Sequence, residues 1–390
     1  MNYIFSIAKI AISLPILLIH ILINLFISLK IGKLDTSRIG NIYIADLFLI
    51  KKKIKKINQL EIWVTDRKIC NSQMYKMLNR HFKIFNFMRF YYDSLNFLSL
   101  KNNFFSKYIL RLDLNKDFIY HDKLSNQIKF SKQDFHQAKI LAENLKIPDN
   151  RKVICISCRD DAYLKKSNSD LDFSYHNYRD TNINSFIPII KKLIKKKYFV
   201  IRVGKISKTR LKIKSKYFLD YPFSKYKNDL LDFYFPNICS LWIGSNSGLD
   251  TLAHMFRKPT IVVNLAPLGI LSHNLNNKKL IYHFKSHIFK KSKKLPFSKI
   301  FEKKLDMLEA TNDFKKNNIS LKPATDREIS EICWEGLNYH LKRKKLSSLD
   351  KRNQKLLNTK INTLFKIKGN IIRCMLSPIY LKKNKWILSK

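Results

Sequence analysis

From Arg151 onward the chain alternates short, continuous apolar runs with stretches of helical spacing. Val153–Cys158, Tyr198–Val203, Leu241–Ile243 and Thr260–Leu265 read as strands apolar on both faces. Between and after them, apolar residues recur at helical spacing over Phe186–Lys197, Asp229–Phe235, Leu249–Phe256 and Asp326–Leu341. Pro188 suits the first turn of Phe186–Lys197, with Asn184 or Ser185 as its cap. Strands buried on both faces and alternating with amphipathic helices predict a parallel sheet covered by helices. Before Arg151 the signals are sparser. Leu60–Thr65 reads as a strand, while Met74–Phe87 and Gln133–Leu145 read as helices. Pro148, Asp149 and Asn150 form a linker. The basic stretch 272–305 reads as loop and the Lys-rich stretch 342–373 as helix.

The N-terminal pattern is different in kind. Ile10–Leu29 carries no charge and is interrupted only by polar or helix-breaking positions such as Pro15, His20 and Asn24. That length just suffices to span a bilayer. A helix lying in the interface and a helix packed in the protein are the alternatives. Lys30, Lys33, Arg38 and Lys51–Lys53 follow, and would keep the rest of the chain cytoplasmic. The expected location is the cytoplasmic face of the inner membrane.

Charge extends this picture. The 390 residues carry 75 Lys and Arg against 29 Asp and Glu, a formal net charge of +46. Such an excess favours polyanions, either nucleic acid or an anionic membrane surface. The lysines are spread along the chain, and no recognisable nucleic-acid motif accompanies them. A nucleic-acid-binding protein is therefore the second reading, resting on charge alone. Cys155 and Cys158 form a lone C-x-x-C within one predicted strand, where residues three apart point to opposite faces. No second pair completes a zinc set, and no metal is expected.

In an open parallel sheet, ligands sit beyond the carboxyl ends of the strands. Those ends carry Arg159 and Asp160, then Arg202, Gly204 and Lys205, then Gly244, Ser245, Asn246, Ser247 and Gly248. Glycines and serines at a helix start, with two arginines and a lysine on neighbouring strand ends, predict a phosphate site. The loop is neither G-x-x-x-x-G-K-[ST] nor G-x-G-x-x-G. A long polar insertion after the first of these strands offers Tyr175, His176, Asn177, Tyr178 and Arg179 as substrate-loop residues.

Several strings carry a resemblance. C-R-D-D-A-Y-L (158–164), D-F-S-Y-H-N-Y-R-D (172–180), Y-F-V-I-R-V-G-K (198–205) and L-W-I-G-S-N-S-G-L (241–249) resemble a family of bacterial glycosyltransferases that accompany surface-polysaccharide genes. S-R-I-G at Ser37–Gly40 is similar to that family's early R-I-G-H-L motif, giving Arg38, Gly40 and Asn41 an acceptor-side role. A weaker likeness runs to fucosyltransferases that use a GDP-sugar. The resemblance implies an α/β fold of GT-B type, with two Rossmann-like domains facing across a cleft after an N-terminal hydrophobic helix. Its expected parts are an anchor (1–30), an acceptor domain (31–150), a donor domain (151–340) and a basic extension (341–390) returning to the first domain. The implied reaction is metal-independent transfer, without a cofactor, from a nucleotide-sugar to a glycan or lipid-linked acceptor. Where that motif has histidine, this chain has Asn41, which cannot take a proton from an acceptor hydroxyl. Asp46, Asp160, His176 and Asp35 are the substitutes, and an inactive nucleotide-sugar-binding relative is a further alternative.

Overall fold

The computed structural model describes residues 2–148, 150–167, 172–365 and 372–389; side chains are described from Ser13 onward, except that of Ser167. The chain divides into two compact units, 1–130 and 131–390.

The first unit is built on parallel strands β1 (Leu29–Leu34), β2 (Leu60–Thr65) and β3 (Ile109–Leu110), in the order β2-β1-β3. Gly32 stands in β1 because Trp63 crosses it: an added Cβ would lie 2.4 Å from the indole. Phe48 and Phe82 pack edgewise on that indole. Met74–Phe87 does not form one helix. The helix runs Ser72–Asn79, started by Asn71, whose side chain accepts from the Met74 amide. The chain then passes alongside β2: Trp63 N–H donates to Lys83 O at 2.9 Å and Phe85 N–H to Trp63 O at 2.8 Å.

The N-terminal helix, Asn2–Ile23, stops short of Leu29, which opens β1. Among the described residues no helix is long and apolar enough to cross a membrane.

The second unit carries a seven-stranded parallel sheet. Its strands are β4 (Val153–Ser157), β5 (Phe199–Val203), β6 (Phe218–Asp220), β7 (Leu241–Gly244), β8 (Thr260–Leu265), β9 (Leu280–Phe284) and, after a separate hairpin, β13 (Met375–Leu376). The separate sheet comprises β10 (Ser286–Phe289), β11 (Lys293–Lys294) and β12 (Ile319–Lys322). The order β13-β9-β8-β7-β4-β5-β6 is that of a doubly wound sheet. Successive connections leave in opposite directions from β4 and β7, so the switch point lies between their carboxyl ends. Every residue of β4, β5, β7, β8 and β9 is buried, as continuous apolar runs require.

Stretch 272–305 is not loop: it contains β9, β10 and the helix Phe297–Glu302. Helix Lys132–Glu143 belongs to the second unit, where Phe135 meets Tyr234 edgewise at 5.5 Å. Helix Asp326–Leu341 opens with a reciprocal Thr325–Glu328 cap. The closing residues, expected near the first domain, add β13 beside β9. Ser377 Oγ and the Ile379 amide donate to Glu335 on that helix, at 2.7 and 2.8 Å.

Candidate functional site

The switch point gathers the loop after β7 and the loop after β4. Asp250 lies beneath the first loop, at the start of the helix Asp250–Met255. Its carboxylate accepts from the Trp242 indole at 2.9 Å, the Ser247 amide at 2.9 Å and the Ser247 hydroxyl at 3.1 Å, and also from Ser157 Oγ. Burial pushes this carboxyl up, and the four donors pull it back. Gly244 leaves the room it needs, since a Cβ there would stand 2.3 Å from Asp250 Oδ1. Ser245 Oγ accepts from the Arg159 amide at 2.8 Å, joining the β7 loop to the end of β4. Asn246, at φ 62°, donates to Ala266 O at 2.5 Å. Ser245 and Asn246 are thus buried scaffold, whereas Ser247 is half-buried and Gly248 exposed. Nothing lies within 4 Å of where a Cβ of Gly248 would stand, so a ligand can approach the backbone there.

Two arginines border the loop. Arg159 Nε lies 3.3 Å from Asp180, and Arg179 Nη2 donates to Asn246 O at 2.9 Å. Desolvation raises the Asp180 carboxyl to about 6, against the pull of Arg159. The loop bearing Asp180 is held from below by Lys285. This lysine is 4% exposed, and its Nζ donates to Tyr178 O at 2.8 Å and Asp180 O at 2.6 Å. Burial brings its ammonium down to about 8. Thr311 Oγ1 donates to Tyr175 O at 3.0 Å, and Phe314 packs on Tyr178 at 5.0 Å. Lys285 is the residue that sequence reading misses. It lies between the strands β9 and β10, in a stretch whose lysines pass for loop.

The predicted anion set is only partly assembled. Arg202 is fully buried and is bonded to Thr209 O at 2.5 Å and Asp220 at 3.3 Å. Its Nε and Nη2 find no hydrogen-bond partner among the described residues, and the Phe223 ring lies 5.7 Å away. It is a cross-strand partner of Asp220 inside the fold, because β6 lies on the outer side of β5. Lys205 is exposed and pairs with Asp229 at 3.0 Å, next to Gly204 at φ 149°. Asn177 and Tyr175 are exposed, Tyr178 is buried, and His176 is half-buried with its ring 4.0 Å from that of Tyr175.

The catalytic candidates fare differently. Asp46 is fully buried and accepts from the Gln127 and Ile128 amides, at 2.6 and 3.0 Å, which makes it a structural cap. Asp160 accepts from the Ala162 and Lys208 amides, at 3.1 and 3.0 Å, tying two loops together. Asp35 is exposed at the carboxyl end of β1. Partial desolvation raises its carboxyl, and so does the hydrogen-bonded Asp66 beside it. Against its own desolvation, Asp66 is held low by Asp35, by Lys33 2.6 Å away and by the Thr36 amide, from which it accepts at 2.8 Å. Arg38, Gly40 and Asn41 lie just beyond, on the short turn that leads into helix Ile42–Ile54. Cys158 donates its thiol to Thr181 O at 3.1 Å, and burial pushes it up to about 12. Among the described residues no three His, Cys, Asp or Glu side chains gather as metal ligands would.

No family model and no curated protein matches this chain. Among solved structures it is similar to a family 9 glycosyl transferase from Veillonella parvula, at 11% identity and TM-score 0.49, covering 80% of this chain and 97% of that one. It is also similar to ADP-heptose lipopolysaccharide heptosyltransferase II of E. coli, at 12% identity and TM-score 0.37, covering 60% and 84%. A third is the iron-containing dodecameric glycosyltransferase TibC of enterotoxigenic E. coli, at 11% identity and TM-score 0.33, covering 60% and 57%.

Proposed function

We propose that this chain is a glycosyltransferase of the two-domain GT-B type that moves sugar from a nucleotide-sugar to a glycan or lipid-linked acceptor in cell-surface polysaccharide synthesis. The observation that carries the reading is the β7 loop at the switch point, stiffened by Asp250 from below and bordered by Arg159. The donor diphosphate lies against Gly248 and Ser247, and Arg159 exchanges Asp180 for phosphate. Asp180 suits that exchange, because a desolvated carboxylate is a poor anion to keep. Charge developing on the leaving diphosphate is then met by fixed donors. The reaction is displacement at the anomeric carbon: the acceptor oxygen bonds to that carbon as its bond to the diphosphate breaks, and the acceptor hydroxyl gives its proton to a base.

The decisive experiment offers a panel of nucleotide diphosphates and nucleotide-sugars to the full chain, with thermal shift and sugar release as readouts. One nucleotide should stabilise the fold, and its sugar conjugate should be turned over. A panel without any response refutes the proposal. Stabilisation without turnover, on any acceptor, would favour the inactive relative that Asn41 suggests.

A further inference from the structure

The N-terminal helix has two faces of different chemistry. Its inner face is bonded to the first unit. Ser13 Oγ donates to Ser94 Oγ at 3.0 Å, and Leu17 is buried against Ile31, Tyr91 and Leu95. His20 Nδ1 meets Tyr91 Oη at 2.6 Å and its Nε2 meets Leu29 O at 2.9 Å. Asn24 exchanges hydrogen bonds with the Leu29 backbone, at 3.0 and 3.2 Å. These positions recur at helical spacing, so they form one stripe. Burial lowers the His20 imidazole, which keeps the stripe uncharged.

The opposite face is apolar and bare. Leu14, Leu18, Ile19, Leu22, Leu25, Phe26 and Ile27 are all exposed, Phe26 to 87%. Such a run differs from the single apolar residues scattered over ordinary surfaces. The helix Arg89–Lys101 packs beside it and exposes Phe97 and Leu100. Phe104 follows, its ring 5.9 Å from that of Tyr108, which in turn lies 5.1 Å from His20. Lys107 Nζ sits 4.0 Å above the Phe104 ring and Lys101 Nζ 6.0 Å above that of Phe97. No carboxylate precedes Asp35 in the chain.

We propose that this face docks into an anionic lipid surface, with the helix lying in the plane of the interface rather than spanning the bilayer. A span would have to break the polar bonds of the inner face. An in-plane helix keeps them and sinks only its outer face to the headgroup boundary. Lysines standing over aromatic rings bring cations to the depth of the phosphates. A second copy of this chain is the poorer occupant, since it would bring another +46 to the contact, whereas anionic lipid neutralises that charge.

The test floats full-length protein with phosphatidylcholine vesicles, with and without phosphatidylglycerol. Wild type should float with the anionic vesicles and stay partly bound at about 1 M salt, where surface charge is screened. The combined variant Leu18→Asp, Leu22→Asp, Phe26→Asp should lose roughly tenfold or more of that binding while melting as wild type does. Phe26→Trp, which keeps the apolar surface, should gain tryptophan quenching by brominated lipid over wild type. Flotation of the triple variant like wild type overturns the proposal, as does absence of added quenching in Phe26→Trp. So does resistance of the native protein to alkaline extraction from membranes, the mark of a span. A dimer that the triple substitution dissolves, with no vesicle binding by wild type, would assign the face to a second copy.

Discussion

Arg159 and Arg202 are the same residue type at neighbouring strand ends, and their surroundings divide their roles. Arg159 is 14% exposed and paired with a carboxylate that burial has raised, so a phosphate can replace its partner. Arg202 is sealed against Asp220. Arg159→Ala should therefore weaken nucleotide-diphosphate binding roughly tenfold or more, the worth of one charged hydrogen bond, as calorimetry would show. Arg202→Ala should instead destabilise the fold by about 3–5 kcal/mol, because it empties a fully buried position and takes the cation from Asp220, which is itself only one-tenth exposed. Denaturant unfolding separates the two outcomes. Asp180 adds a pH signature. Its folded pKa of about 6 lies above the usual carboxylate value, so the folded state holds the proton more tightly. The stabilisation from that proton is complete below about pH 4 and is lost as pH rises through 6. Unfolding midpoints should show Asp180→Asn gaining on wild type across that window and running parallel to it above.

At the scale of elements, the β7 loop and the loop 174–180 are positioned from beneath by single residues. Gly244→Ala puts a methyl group against Asp250 Oδ1, and the carboxylate cannot move without giving up its hydroxyl and indole donors. The expected cost is about 1–3 kcal/mol in denaturant unfolding, with nucleotide binding weakened as well. Lys285 holds the second loop through two carbonyls. Lys285→Met should keep the sheet intact while amides of 174–180 exchange faster, which hydrogen-exchange mass spectrometry resolves. Unchanged protection there would mean that Thr311 and Phe314 suffice to hold the loop.

For the whole molecule, the charge of +46 makes binding to any polyanion uninformative by itself. Salt dependence separates the readings. Binding to a phosphate backbone is driven by counterion release and falls steeply as salt rises. A switch-point site that holds one small ligand by a few directed contacts should lose much less. A salt titration should find one nucleotide diphosphate still bound where long RNA and DNA have dissociated. Salt-resistant, sequence-dependent nucleic-acid binding without any nucleotide response would reverse the assignment.

The periodicity of the chain alone determined the second unit's alternation of strands and helices, because strands buried on both faces must be continuously apolar. Thr260–Leu265 and Asp326–Leu341 emerge with the bounds read from the pattern. The β7 loop was legible too, since in a glycine-poor chain two glycines flanking S-N-S at a strand end have few explanations. Where polar residues enter the interior the pattern fails. β9 and β10 carry His283 and His287 with Lys285 between them, all buried and bonded within the protein, so hydropathy takes them for surface. The fate of Arg202 was equally hidden, because only strand order shows that β6 lies beside β5 with Asp220 opposite it. By composition the N-terminal run is one apolar segment. Tertiary contacts divide it into a bonded face and a bare one, since Ser94 and Tyr91, which bond Ser13 and His20, stand more than seventy residues away in sequence.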